Sequence, residues 1–213
     1  MKIILKNLGK RYNTEWIFRN LNYEFSSENA YVILGANGSG KSTLLQLIAG
    51  NYLPSEGTVH YFESSTSQPG IEIESENIFR HLAIASPYLE LPEEFTLKEA
   101  ISFHARFKPL KFQVEQVIQL SGLQGSQNKS LKYFSSGMKQ RVRLALAVLS
   151  NVPLLLLDEP TSNLDKKGID WYLELINKYT QDKLLIICSN QQHYEYSFCN
   201  KELIVEEYKP FTV

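Results

Sequence analysis

The sequence has two cysteines, no long apolar run and almost no excess of either charge. Each shortage excludes something. A formal net charge of −1 leaves no broad electrostatic footprint for nucleic acid, so no nucleic-acid partner is expected. Two cysteines, Cys188 and Cys199, are too few for a disulfide framework. Cys188 lies in the apolar run LLIIC and reads as a buried thiol, which fits a reducing compartment. No apolar run approaches the length that crosses a bilayer. The start, MKIILKNLGKRY, is too weakly apolar for a secretory signal. Work at a membrane would therefore need another chain to hold this one there. Internal repeats and long low-complexity tracts are also missing. A length of 213 residues suits one domain with a sizeable core.

What is there alternates. KIILK and WIFRNLNYEF read as strands, and AYVILG is a short apolar strand followed by GANGSGKS. A helix is predicted from Thr43 to Ala49, ended by Gly50 and Asn51. PSEGTVHYF reads as a turn and a strand, ESSTSQPG as a loop, and His81 to Ala85 as a strand. From Pro87 to about Ser150 the character is helical, with Leu97–Phe107, Phe112–Leu120 and a helix from roughly Gly137 to Ser150. Then come LLLLD as a strand, a helix from about Lys167 to Thr180, LLIICS as a strand, a further helix, and ELIVEEY as a strand. Strand–helix–strand alternation predicts a mostly parallel sheet with crossovers. The chain reads as a single α/β domain over 1–213. Its core is about 1–86 and 151–213, split by a helical insertion at about 87–150.

Three stretches carry chemistry. Gly35, Ala36, Asn37, Gly38, Ser39, Gly40, Lys41 and Ser42 satisfy G-x-x-x-x-G-K-[ST], with an apolar strand before and a helix, opening at Thr43, after. Glycines at this spacing let successive backbone N–H groups face one point, at a helix N-terminus that favours anions. Lys41 would reach the β- and γ-phosphates and Ser42 would bind Mg²⁺. LLLLDE is a buried strand ending in two acids, with Asp158 placed to hold the Mg²⁺ shell and Glu159 to polarise a water. FSSGMKQ sets Ser135, Ser136 and Gly137 at another helix start, a second candidate anion site. Taken alone, serine there is more often a helix cap.

The order phosphate loop, helical insertion, FSSGM, LLLLDEP and SNLD resembles an ATP-binding cassette (ABC) ATPase over nearly the whole chain. The resemblance implies a RecA-like P-loop core with an N-terminal antiparallel β subdomain and a helical subdomain. FSSGM resembles the family signature LSGGQ, and SNLD, ending at Asp165, resembles the D-loop. Tyr12 matches the aromatic position that stacks on adenine; by itself it reads as a half-exposed strand tyrosine. In the family, two cassettes sandwich two ATP molecules head to tail. The signature of one, here Ser135, Ser136 and Gly137, caps ATP in the phosphate loop of the other. The resemblance thus implies ATP and Mg²⁺ as cofactors, a homodimer or heterodimer of cassettes, and hydrolysis by Glu159. A membrane-spanning transporter subunit as partner and a cytoplasmic, peripheral location also follow from it.

The match is incomplete. Ser136 and Met138 replace a glycine and a glutamine of the signature. Asn190 stands where the family carries a histidine that bonds the γ-phosphate, and it can donate a hydrogen bond but cannot carry a charge. His193, three residues on, reads as a surface residue. The family's glutamine after the His81–Ala85 strand is missing, and Pro87 or Tyr88 takes its place. These departures predict slow turnover by the isolated chain. The main expectation is the ATPase subunit of a transporter, with YLELPEEF as a docking stretch. The alternatives are a soluble ABC ATPase acting on a protein or nucleic-acid assembly, and an ATP-gated switch that barely hydrolyses.

Overall fold

The computed structural model describes residues 1–63 and 70–210. Nearly all of the ESSTSQPG stretch lies outside them. Two sheets organise the chain. The first is antiparallel, in the order β2-β1-β4-β5, from β1 (Lys2–Tyr12), β2 (Glu15–Ser26), β4 (Glu56–Phe62) and β5 (Glu72–Ile73). The second is five-stranded, in the order β6-β7-β8-β3-β9. It is built from β3 (Ala30–Leu34), β6 (Leu82–Ala85), β7 (Leu154–Asp158), β8 (Leu184–Ser189) and β9 (Lys201–Ile204). Every pairing in it is parallel.

The parallel sheet explains the unbroken apolar runs. Leu154 and Leu156 of β7 face one core cluster and Leu155 and Leu157 the other. On β8, Leu184, Ile186 and Cys188 face the first cluster while Leu185 and Ile187 face the second. Strands covered on both faces have no solvent side to mark with polar residues, hence no alternation. Each such side chain, fully buried, contributes about 1.5–3 kcal/mol.

The helices are α1 (Lys41–Ile48), α2 (Leu97–Phe107), α3 (Val114–Leu120), α4 (Ser136–Leu149), α5 (Lys166–Tyr179) and the single turn α6 (His193–Tyr196). On one face α1 packs with the antiparallel sheet. On the other, α2 to α5 share the second cluster with β6, β7 and β8. Short 3₁₀ turns cover Ser75–Arg80, Leu131–Tyr133 and Val205–Tyr208. The expected strand ELIVEEY is therefore corrected: pairing with β3 ends at Ile204, and the backbone then turns. The helix after Gly40 opens at Lys41 rather than Thr43, because the backbone N–H of Leu44 already donates to Gly40 O at 2.8 Å. The helix expected from Phe112 starts at Val114, where Gln113 N–H donates to Gln116 Oε1 at 3.1 Å.

The end of α4 is tied down by polar groups. Lys183 Nζ donates to the carbonyls of Val148 at 2.8 Å and Ser150 at 2.5 Å, satisfying acceptors that a helix end leaves free. Burial pulls this ammonium down to about 8. Ser150 Oγ donates to Leu146 O at 2.6 Å, so its contact with His104 Nε2 at 2.9 Å assigns the ring nitrogen as donor. Burial, with Lys108 nearby, lowers His104 from 6.5 to about 4. Between those two values the unfolded chain binds a proton that the folded chain refuses. Stability is thus expected to fall as pH drops from about 6.5 to about 4. His104→Gln keeps a donor for Ser150 but has no proton to gain. Urea midpoints measured across that range should decline less steeply in the variant. Parallel declines would show that His104 is not the group responsible.

Candidate functional site

All four strand ends that matter lie on one edge, the carboxyl edge of the parallel sheet, where ligands bind in open α/β folds. β3 leads into Gly35–Gly40, β7 ends on Asp158, β8 on Ser189 and β6 on Ala85. Gly40 has φ 108°, a left-handed conformation, and a Cβ there would lie 2.4 Å from Ile17 Cγ2. No other residue type fits that point, so the loop can turn directly into α1. The N–H groups of Lys41, Ser42 and Thr43 then head a helix, with the partial positive charge of its first turn.

Lys41 is 5% exposed, and its Nζ donates to Gly35 O at 2.8 Å and Ala36 O at 3.0 Å. The ammonium thus sits inside its own loop. Ala36 N–H donates to Glu206 Oε1 at 2.5 Å, an acidic contact from the last 3₁₀ turn that no motif predicted. Ser42 Oγ donates to Asp158 Oδ1 at 3.1 Å, and Ser86 Oγ to Asp158 Oδ2 at 3.4 Å. Burial raises the Asp158 carboxyl, the Ser42 bond opposes this, and Glu159 adds to it. A carboxylate disfavoured by burial, beside a hydroxyl, is a hard-oxygen pair suited to a cation such as Mg²⁺. No group of three or more His, Cys, Asp or Glu that could hold a metal exists among the described residues. The remaining ligands would be water and phosphate oxygens.

Glu159 has φ 43°, left-handed for a residue with a side chain. Three bonds hold it: its N–H donates to Cys188 O at 2.9 Å, its carbonyl accepts from Ser162 N–H at 3.0 Å, and Asn190 Nδ2 donates to its Oε1 at 2.5 Å. A flipped amide would set oxygen against carboxylate, so the donor assignment follows from charge. Asn190 Oδ1 is buried and has no hydrogen-bond partner among the described residues. The residue at the family's histidine position is therefore joined to the acid after β7. His193 is exposed and stacks edge-on to Tyr196 at 5.5 Å.

Two cavities adjoin this edge. One, of about 340 Å³, is lined by Gly38, Lys41, Ser42, Thr43, Glu159 and Asn190 among others. The second, of about 380 Å³, is lined by Tyr12, Thr43, Tyr52, Ser86, Tyr88 and Asp158 among others. Ser42, Thr43 and Tyr88 line both. Tyr12 is 48% exposed and Tyr52 45%, and Lys10 Nζ lies 5.3 Å and 5.8 Å from their ring centroids. Tyr52 was not expected, since a lone tyrosine after a helix carries no motif. Ser86 was missed for the same reason.

Ser135, Ser136, Gly137 and Asp165 line neither cavity. Ser135 caps α4, accepting from Met138 N at 3.2 Å, and Asp165 caps α5, accepting from Gly168 N at 2.7 Å. A Cβ on Gly137 would lie 2.8 Å from the carbonyl oxygen of Asn163, so α4 begins in contact with the SNLD turn. Gln140, fully buried, links the same helix to the turn after Glu159 by donating to Pro160 O at 2.9 Å.

The chain is similar to known proteins in sequence and in fold. Residues 18–162 match the family model described as ABC transporter. A sulfate/thiosulfate import ATP-binding protein of Mesostigma viride is 30% identical over 92% of this chain and 57% of its own. A cytochrome c biogenesis ATP-binding export protein of Rhizobium johnstonii is 28% identical over 90% of this chain and 89% of its own. The chain spans little more than half the length of the import relative. Among solved structures, a dimeric ATP-binding cassette in a post-hydrolysis state with ADP and Pi superposes with a TM-score of 0.79. It is 21% identical and covers 99% of this chain and 97% of its own.

Gly137→Ala tests the contact between α4 and the SNLD turn. Pushing a methyl against a backbone oxygen should cost about 1–3 kcal/mol in urea unfolding. An unchanged midpoint would mean that the two segments separate freely.

Proposed function

The chain belongs to the ABC transporter family, and on that premise we propose that it is an ATPase subunit that closes on ATP with a second cassette. The observation that carries this is the convergence on one cavity of Lys41, Ser42, Glu159 and Asn190 from three separate strand ends. Phosphoryl transfer asks little covalent chemistry of a protein and much positioning and charge neutralisation. These residues supply both. When ATP enters, Lys41 exchanges two neutral carbonyl acceptors for anionic phosphate oxygens, a stronger, charge-assisted bond. The N–H groups at the head of α1 face the same charge. Ser42 and Asp158 would hold Mg²⁺, which neutralises charge shared by the β- and γ-phosphates. Tyr12 offers its ring to the base. Glu159 orients the attacking water, and Asn190 keeps its carboxylate in place.

Ser135, Ser136 and Gly137 sit outside both cavities, which supports their action on the nucleotide of a second cassette. Asp165 would act at the same junction. The named relatives are import and export ATP-binding proteins, which supports a membrane-spanning subunit as partner and a peripheral, cytoplasmic position. No helix among the described residues is long and apolar enough to cross a membrane. Direction and cargo belong to that partner.

A neutral amide at position 190 cannot take up a proton or carry a charge, which favours slow turnover by the isolated chain. Lys41→Ala should abolish ATP binding in calorimetry. Glu159→Gln should leave binding intact and lower steady-state turnover about a hundredfold or more. Equal, negligible rates for Glu159→Gln and the natural chain would replace the enzyme reading with that of an ATP-gated switch.

A further inference from the structure

The turn that carries Glu159 is braced from behind by a carboxylate that the hydrolytic reading leaves unused. Glu195 lies on α6, an element of one turn, yet is 2% exposed. No salt bridge reaches it among the described residues. Three hydrogen bonds offset its burial instead. Thr161 N–H donates to Oε1 at 3.1 Å, Thr161 Oγ1 donates to the same oxygen, and Ser189 Oγ donates to Oε2. Its own backbone oxygen accepts from Tyr172 Oη at 2.9 Å, which fixes α6 to α5.

The placement of the two donors is informative. β7 and β8 are paired as far as Asp158 and Cys188, and the last backbone bond between them is Glu159 N–H to Cys188 O. Beyond that point the chains leave the sheet. Thr161 is in the turn that begins with Glu159, and Ser189 immediately precedes Asn190. Glu195 therefore bridges the two segments where the ladder stops, through residues adjacent to Asn190 and two positions after Glu159. A buried carboxylate is a costly way to join two segments, since well-packed apolar residues do so at no desolvation cost. What it adds is direction: two oxygens set at a fixed spacing hold two donors at a fixed spacing.

We propose that Glu195 is a positioning residue for hydrolysis, which sets the separation of the 159–161 turn and the end of β8 and thereby the Asn190–Glu159 hydrogen bond. The proposal rests on Glu159 being the hydrolytic acid. Loss of the bridge lets the acid drift without touching the phosphate loop, so binding and turnover should separate.

The experiment measures ATP affinity and single-turnover hydrolysis for the natural chain, Glu195→Ala, Glu195→Gln, Asn190→Ala and the double Ala variant. For Glu195→Ala the rate should fall about a hundredfold, as expected for a misplacement of about 1 Å, with ATP affinity unchanged. Glu195→Gln should stay near the natural rate. Its carbonyl still accepts from Thr161, and its amide can donate to a Ser189 hydroxyl that has rotated. In the Asn190→Ala background, Glu195→Ala should add little, because both act through the same bond. Should Glu195→Ala not fold, Ser189→Ala cuts one arm of the bridge and must give the same split between rate and affinity. An undiminished rate, a loss of affinity matching the loss of rate, or fully additive losses with Asn190→Ala would each overturn the proposal. A natural chain that binds ATP but does not hydrolyse it would overturn the hydrolytic function and this inference with it. Hydrolysis by the natural chain, together with an unaffected Glu195→Ala, would overturn this inference alone.

Discussion

Everything at the site depends on a parallel sheet buried on both faces. β7 and β8 have no solvent side, so their residues from Leu154 to Leu157 and from Leu184 to Cys188 are apolar or nearly so. Polar chemistry is permitted only where those strands end. Parallel strands end on the same edge, so Asp158, Glu159, Ser189 and Asn190 arrive together with the loop after β3. The two helical layers and the antiparallel sheet exist to cover the faces. The collection of acids, amides and glycines on one edge follows from strand direction as much as from the residues themselves.

Legible in the sequence is whatever has a period or a fixed spacing. LLLLD and LLIICS announce buried strands, and G-x-x-x-x-G-K-[ST] announces a loop whose backbone must curl. Leu97–Phe107 appears with the same bounds in sequence and structure, since Thr96 and Glu99 form a capping box with its own pattern. Contacts between distant single residues were not legible. Glu206 on Ala36 N–H, Ser86 on Asp158 and Gln140 on Pro160 join positions far apart in the chain with no shared motif. ELIVEEY misled because an apolar, β-branched start hides the point at which pairing with β3 stops. The link between Asn190 and Glu159 lay between the two kinds. Each residue stood out separately, and only folding sets them 2.5 Å apart.

The start of α4 has a comparable double nature. Ser135 works as a plain helix cap, and Gly137 is bare because Asn163 O presses against it. Both facts account for the local residues without any ligand. Yet the same contacts join α4 to the SNLD turn and, through Gln140 and Pro160, to the turn of Glu159. The surface proposed to meet another cassette is thus joined by direct contacts to the turn of the acid proposed to act within this one.

The posture of Lys41 has a consequence for selectivity. With its ammonium seated on Gly35 O and Ala36 O, the loop carries an intramolecular competitor for its own binding site. A visitor must do more than fit: it must out-attract two carbonyl dipoles. A single phosphate brings little advantage in that contest, whereas a polyphosphate brings several oxygens and more than one negative charge. Under the proposed function, the loop would then set a threshold on ligand charge, ranking nucleotides by the length of their phosphate chain before any base is inspected.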